Sequence, residues 1–217
     1  MSYDPSDAEW DRFIDEIQKE FRDSALNDPE IYDRVVDDFR EARLRDYYVE
    51  HPLIAESAEG ALGEATELVG TYPRPALILA VVAAETCLRD ALLTPILHGS
   101  FHTESSAELL VNIVVRSKDE KLIKALLRVL AEQAGVDLQT FRRSGSSKPL
   151  WEEILELQRK RNRAIHQAEN VSLGEANSAL KIARAVLREV FARAVTKLGL
   201  HLHDRIRVCG KHKCRPA

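Results

Sequence analysis

Three side chains that together could act on a phosphate group lie within six residues, from Arg161 to His166. His166 carries an imidazole, which can both accept and release a proton near neutral pH. Arg161 stays charged, and its planar guanidinium matches two phosphate oxygens. Asn162 lies four residues before His166, so on a helix its amide shares a face with the imidazole and can orient the ring. The three residues therefore suit phosphodiester chemistry that needs no metal ion. The alternative is a chance pairing, because an arginine and a histidine at this spacing occur in many helical proteins, where most such histidines are surface residues.

These residues close an amphipathic helix that we predict over residues 150–166. Its apolar stripe consists of Trp151, Ile154, Leu155 and Leu157. Arg161 and His166 are five residues apart, which places them about 140° apart around an ideal helix. One copy of the motif therefore does not direct both side chains to one point. Either the helix frays before His166, or two copies face each other across a symmetry axis.

The carboxyl-terminal part of the chain is basic. Residues 1–140 contain 14 Lys+Arg and 28 Asp+Glu, whereas residues 141–217 contain 17 and 7. This asymmetry suggests a polyanion partner for the second part, or association between the two parts, and a solvated basic surface is the alternative. The side chains that we expect to hold the backbone of such a polyanion are Arg142, Arg143, Arg159, Lys160 and Arg163. Cations in the last turns of a helix are also favoured by its macrodipole, without any function.

An alanine-rich apolar run, residues 75–89, predicts the central buried helix of the fold. Glu85 and Arg89 lie four residues apart in this run. A buried carboxylate is costly unless it is paired, so an internal Glu85–Arg89 ion pair is one interpretation. Pro95 is predicted to end or kink the helix, with a loop beginning at His98.

The string Arg161-Asn162-x-x-x-His166, closing one helix ahead of a last long helix, resembles the R-x(4–6)-H motif of the HEPN superfamily. The run that contains Glu85 and Arg89 is similar to an early core helix of the same family, and the resemblance covers roughly residues 72–198. It implies an all-α, HEPN-like up-and-down helical bundle. It also implies that Glu85 and Arg89 lie beside the motif and support it, which is the second interpretation of that pair.

The activity implied by this resemblance is that of a metal-independent endoribonuclease in a defence or toxin–antitoxin context. Arg161, Asn162 and His166 would be catalytic in a dimeric active site, and cleavage would use the 2′-hydroxyl of the RNA. The implied partners are RNA, a second copy of the chain, and an antitoxin or a nucleotidyltransferase; no cofactor is expected. HEPN domains that only bind are also known, so the alternative is a non-catalytic helical module that binds a partner protein or a nucleotide. The ribonuclease is the favoured interpretation.

Helix start and stop signals divide the chain into three predicted parts. Residues 1–71 form an amino-terminal helical extension, with a capping box at Ser6 and Glu9 and a helix start at Pro29. Residues 72–199 form the helical bundle, whose last helix opens with a capping box at Ser172 and Glu175. Residues 200–217 form a basic tail. With only 9 glycines and no parallel βαβ pattern, the whole chain is predicted to be all-α.

The tail contains five potential zinc ligands: His201, His203, Cys209, His212 and Cys214. Their spacing is not a common finger spacing, and paired C-x-x-C motifs are absent, so we assign no metal from the sequence. The alternation of Leu200, Leu202, Ile206 and Val208 with polar residues equally suits a short arm lying on the domain or on a neighbouring subunit.

The composition predicts a cytoplasmic globular protein with no membrane association. Apolar residues make up 45% of the chain and charged residues 30%. The longest apolar run, Ala76 to Ala84, is too short to span a bilayer, and the acidic, polar amino terminus does not resemble a signal peptide. An odd number of cysteines, 3, fits a reducing compartment better than a disulfide framework.

Overall fold

Helices dominate the fold, as the sequence predicts. The structure, a computed structural model, describes residues 19, 29–100, 127–132, 135–211 and 214. Its α-helices are α1 (Pro29–Glu50), α2 (Glu56–Leu68), α3 (Pro73–Thr86), α4 (Thr94–Ser100), α5 (Leu150–His166), α6 (Leu173–Ala185) and α7 (Ala192–Lys197), and residues 127–132 are also helical. Within these residues the all-α class is therefore confirmed, apart from one small carboxyl-terminal hairpin. Among the described residues, no helix combines the length and the apolar character needed to cross a bilayer.

The chain divides into two compact units, Met1–Ala42 and Arg43–Ala217. The described part of the first unit includes the beginning of α1, where an exposed ion pair joins Arg40 to Asp37 at 3.5 Å. All of α2 to α7 belongs to the second unit. The three-part division predicted at residues 71 and 199 stays a prediction.

Helix α3 lies at the centre of the second unit and packs against α2, α5 and α6. Its buried residues are Ala76, Leu77, Ala80, Val81, Ala83 and Ala84. Alanine side chains are short, so neighbouring helices can approach α3 closely on more than one side. The prediction of a buried, alanine-rich central helix is confirmed.

Helix α3 continues into α4 through a π-helical segment, Cys87–Leu93. Pro95 explains this wider turn, because proline has no N–H to donate to the carbonyl of Ala91 four residues earlier. The hydroxyl of Tyr48 donates to this carbonyl at 2.6 Å. Tyr48 is fully buried, and burial raises the pKa of its hydroxyl far above the usual value. A second π-helical segment, Val186–Phe191, joins α6 to α7 and packs against the first.

The helix therefore does not end at Pro95, and the predicted loop at His98 is wrong. His98 lies within α4, partly buried, with its ring stacked on Tyr47 at 4.8 Å between ring centroids. The helix continues because its turn widens in the π-helical segment, and because the Tyr48 hydroxyl donates to the Ala91 carbonyl, to which Pro95 has no N–H to donate.

The start of α6 follows the predicted capping box. The Ser172 hydroxyl accepts a hydrogen bond from the backbone N–H of Glu175, and the Glu175 carboxylate accepts one from the backbone N–H of Ser172. After α7 the chain turns at Gly199, whose φ of +68° lies in the left-handed region that glycine adopts without strain. The predicted capping box at Ser6 lies outside the described residues.

The chain ends in an antiparallel hairpin of β1 (His201–His203) and β2 (Arg207–Cys209). Its pairs are His201 with Cys209, Leu202 with Val208, and His203 with Arg207. Leu200 and Val208 are buried, and the backbone N–H of Val208 donates to the carbonyl of Pro52 at 2.8 Å. Of the two arrangements expected for the tail, it adopts the one in which the arm lies on its own domain.

Candidate functional site

The motif lies at the carboxyl end of α5. This helix buries Leu150, Trp151, Ile154, Leu157 and Ala164 against the core, and it remains helical through His166. The helix therefore does not fray before His166. The second expected arrangement, in which two copies of the motif face each other, stays a prediction. On one chain these two residues are about 7.5 Å apart along the helix axis and about 140° apart around it.

Arg161 forms an ion pair with Glu85 of α3. The guanidinium Nη1 lies 2.6 Å from Oε2 of the carboxylate, and the two side chains are 23% and 28% exposed. The partners are 76 residues apart in the sequence and meet because α5 packs against α3. At this exposure water screens the pair only in part, so the contact fixes the position of the guanidinium.

Arg89 does not pair with Glu85, so the predicted internal ion pair is wrong. The guanidinium of Arg89 instead forms two hydrogen bonds with the carboxylate of Asp90, at 2.6 Å and 2.8 Å. This neighbour raises the pKa of Arg89. The reason is that Glu85 lies on the side of α3 that faces α5, where the Arg161 guanidinium reaches it. Of the two residues predicted to support the motif, only Glu85 contacts it in the described part of the chain.

Asn162 also contacts Arg161. Its amide oxygen accepts a hydrogen bond from Nε of Arg161 at 3.1 Å, so the guanidinium is held from two sides. No hydrogen bond between Asn162 and His166 is found among the described residues. The amide thus positions the arginine, and its predicted action on the imidazole stays a prediction.

His166 is the last residue of α5, and its side chain is exposed. Within the described ranges it forms no hydrogen bond or ion pair with another residue. The chain turns away two residues later at Ala168, whose φ of +51° is in the left-handed region. Arg74 stabilises this turn by donating to the carbonyl of Ala168 at 2.9 Å and to the amide oxygen of Asn170 at 3.2 Å. His166 is therefore free to receive a proton from, or give one to, a molecule bound at this end of α5.

Two predicted RNA-binding cations of α5 form ion pairs that the sequence did not predict, with Glu169 and with the capping-box residue Glu175. Lys160 lies 2.7 Å from Glu169 and 2.7 Å from Glu175, and Arg163 lies 2.6 Å from Glu169. These contacts raise the pKa of Lys160 and lower that of Glu169. The Lys160 ammonium, together with the Ser172 hydrogen bonds, lowers the pKa of Glu175 to about 2. Glu169 lies in the connection after α5 and Glu175 in the first turn of α6, so two acidic residues closely following the basic end of α5 are the signal that could have predicted these pairs.

The other predicted RNA-binding residues differ in their surroundings. Arg143 forms two hydrogen bonds with the buried carboxylate of Glu153, at 3.0 Å and 2.8 Å. Arg142 donates from Nε to the carbonyl of Ser147 at 3.0 Å and so stabilises its own loop. Arg159 is exposed and contacts no acidic group within the described ranges. The positive charge near the motif is thus largely balanced within the chain, with Arg159 as an exposed cation on the same helix.

The tail brings a second group of potential ligands together. One ligand atom from each of His201, His203, Cys209 and Cys214 lies within 4.8 Å of the others. The fifth predicted candidate, His212, lies outside the described residues. This cluster is the one group of three or more His, Cys, Asp or Glu ligands that the described residues bring close enough for a metal ion.

The motif end of α5 offers two chemical capabilities: a fixed positive charge at Arg161 and an exposed proton-transfer group at His166. Both suit a phosphodiester substrate. Comparisons of the chain with models of known protein families, with curated proteins and with solved structures find no match.

Proposed function

We propose that this protein is a metal-independent endoribonuclease of the HEPN type, with an active site formed by two copies of the chain. The observation that supports the proposal is the 2.6 Å ion pair between Glu85 and Arg161. It joins the acidic residue of the alanine-rich helix to the arginine of the R-x(4–6)-H motif, the two features on which the resemblance depends. The proposed fold is a HEPN-like helical bundle with an amino-terminal helical extension.

The 2′-hydroxyl of RNA is the nucleophile in the proposed reaction. It attacks the adjacent phosphorus while one His166 imidazole accepts its proton. The bond from phosphorus to the 5′-oxygen breaks, and a protonated His166 donates a proton to this leaving oxygen. Arg161 stabilises the charge that develops on the non-bridging phosphate oxygens. The products are a 2′,3′-cyclic phosphate and a 5′-hydroxyl, and no divalent ion takes part.

Helix geometry is the reason for the symmetric dimer. Arg161 and His166 lie about 140° apart on α5, so a phosphate that contacts Arg161 of one chain is out of reach of the imidazole on the far side of the same helix. A twofold axis near the end of α5 would place His166 of each chain opposite the motif of the other. One imidazole can then act as the base and the other as the acid. The proposed context, RNA as substrate and an antitoxin or nucleotidyltransferase as partner in a cytoplasmic defence system, rests on the resemblance alone.

Cleavage of a labelled single-stranded RNA in EDTA tests the proposal. The wild type should produce fragments that end in 2′,3′-cyclic phosphate, and His166→Ala should lower the rate by about 10²–10⁴-fold, the usual contribution of a general acid or base. The matched control is His51→Ala, because His51 is also an exposed histidine at the end of a helix. A substrate with 2′-deoxyribose at the cleaved positions should resist. The proposal is contradicted if His166→Ala cleaves RNA at the wild-type rate, or if cleavage by the wild type requires a divalent metal ion.

A second function is favoured by one specific observation: several cations near the motif are already paired. With Lys160 and Arg163 bound to carboxylates and Arg143 bound to Glu153, the surface offers fewer free charges to an RNA backbone than the sequence suggests. This fits a non-catalytic helical module that binds a partner protein or a nucleotide. An RNA-binding measurement across a salt series distinguishes the two functions, because an enzyme that holds phosphates must bind RNA more weakly as salt rises. Absence of both RNA binding and cleavage supports the module.

A further inference from the structure

The carboxyl-terminal hairpin gathers two imidazoles and two thiols at one point. The Nε2 atoms of His201 and His203 are 3.2 Å apart, and the Sγ of Cys214 lies 3.1 Å from Nε2 of His203. With Cys209 included, the four ligand atoms lie within 4.8 Å of one another, and all four residues are partly buried. The three cysteines of the described chain are free thiols, so Cys209 and Cys214 are available as ligands.

The register of the hairpin explains the convergence. Residues two apart on a strand point to the same side, so His201 and His203 share one face of β1. Cys209 is the cross-strand partner of His201 and therefore lies on that same face. Beyond β2 the chain turns back, with the backbone N–H of Cys214 donating to the carbonyl of Lys211 at 3.2 Å. The opposite face of the hairpin carries Val208, which is buried against the domain.

We propose that His201, His203, Cys209 and Cys214 bind one Zn²⁺ ion in a tetrahedral structural site. Two imidazole nitrogens and two thiolates form one of the common ligand sets of structural zinc. Bond lengths of about 2.0–2.1 Å to nitrogen and 2.3 Å to sulfur place neighbouring ligand atoms about 3.3–3.8 Å apart in a tetrahedron. Two of the observed separations, 3.2 Å and 3.1 Å, lie just below this range, and no pair exceeds 4.8 Å, so side-chain rotations that bring the more distant ligand atoms closer would complete the site. The four protein ligands leave no open position for a substrate, so the ion has no part in the proposed RNA cleavage.

The hairpin itself indicates what the ion does. Each strand has three residues, and a two-stranded hairpin of this size is barely stable on its own. Its turn also places two residues without the freedom of glycine, Asp204 and Arg205, at φ values of +50° and +65°. A zinc ion that joins both strands and Cys214 offsets these costs and holds the tail on the domain.

The test uses the full chain, produced without a polyhistidine tag and dialysed against metal-free buffer under reducing conditions. Elemental analysis of the protein as purified should find one zinc ion per chain. Titration of the metal-free protein with Co²⁺ should give the visible bands of a tetrahedral ion and the near-ultraviolet charge-transfer bands of thiolate ligation. Cys209→Ser and Cys214→Ser should each lose stoichiometric zinc and weaken these bands. His166→Ala, the matched control outside the cluster, should keep both.

The outcomes separate this inference from the ribonuclease proposal. If His166→Ala loses cleavage but retains zinc, the zinc site is supported independently of the ribonuclease proposal. Absence of thiolate bands in the wild type, or zinc retained in the double variant Cys209→Ser with Cys214→Ser, overturns the inference. A disulfide between Cys209 and Cys214 that forms under reducing conditions would also overturn it. The Co²⁺ spectrum of the wild type decides the question even if a variant fails to fold.

Discussion

The ion pair between Glu85 and Arg161 allows a quantitative prediction that concerns both stability and activity. We expect a double-mutant cycle of Glu85→Gln, Arg161→Gln and the double variant to show that the effects of the two substitutions on the free energy of unfolding are not additive. The partners come from α3 and α5, so their interaction contributes directly to the packing of the motif helix on the core.

The magnitude follows from the distance and the exposure. Two unit charges about 4 Å apart at an effective dielectric constant of about 20 attract each other by roughly 4 kcal/mol. Desolvation of both groups and the ordering of two long side chains offset most of this attraction. The side chains are 23% and 28% exposed and form a charge-assisted hydrogen bond at 2.6 Å. We therefore expect a coupling energy of about 1–2 kcal/mol.

A second ion pair, between Lys148 just before α5 and Glu156 on α5, serves as the matched control. Lys148 and Glu156 are 2.5 Å apart, a distance similar to that of the first pair, but each side chain is 51% exposed. Water and salt screen such a pair, so the same cycle on Lys148 and Glu156 should give a coupling close to zero. The two cycles differ mainly in burial, which is the variable that the reasoning depends on.

Urea unfolding followed by circular dichroism measures both cycles, and the RNA cleavage assay is run on the same variants. Glu85→Gln should lower the cleavage rate of a folded protein, since it frees the Arg161 guanidinium to move, whereas Lys148→Gln should not. Equal coupling in the two cycles would refute the assignment of Glu85 as the residue that positions Arg161. Unchanged cleavage in a folded Glu85→Gln variant would refute its functional part.

Three further predictions concern stability. Tyr48→Phe should lower the free energy of unfolding by about 1–3 kcal/mol, because the Ala91 carbonyl beside Pro95 loses its donor; no change in urea unfolding would contradict this explanation of the π turn. Ser172→Ala should cost about 1 kcal/mol by removing the capping box of α6, whereas Ser172→Asp should cost less. The pKa of Glu175 is lowered from 4.5 to about 2, so the stability that its carboxylate provides is fully present above pH 4.5 and is lost as the pH falls towards 2. Acid titration of Glu175→Gln should show a shallower loss over that interval, and an identical profile would contradict the role of the Lys160 contact.

Local signals in the sequence predicted much of the helical framework. The serine and glutamate at 172 and 175 form the capping box that their spacing indicates, because both partners lie within one turn. The apolar run after Pro75 is buried, since a helix with apolar residues on nearly all sides must be covered by others. Helix α1 ends at Glu50, two residues before Pro52, because the residue that precedes a proline disfavours the α conformation.

Contacts between distant residues were decided by the tertiary structure. Glu85 could pair with Arg89 on its own helix, yet it binds Arg161, because the packing of α5 against α3 brings that guanidinium closer. Pro95 predicts that the helix ends or kinks, and the helix continues through a π-helical segment while a buried tyrosine hydroxyl from α1 donates to the carbonyl that the proline leaves without a donor. Arg161 is 76 residues from Glu85 in the sequence, and Tyr48 is 43 residues from Ala91, so a local sequence pattern could not predict either contact.

In the tail, too, the sequence determined the composition and the tertiary structure decided the contacts. The sequence by itself determined that imidazoles and thiols are concentrated after residue 200 and that apolar residues alternate with them. Only the folded hairpin decided that four of these ligands meet, because strand register, which depends on pairing across the turn, sets which side chains share a face. Likewise the sequence supplied an arginine, an asparagine and a histidine in six residues. The packing of α5 then decided that the arginine is held by a carboxylate while the histidine remains exposed to solvent.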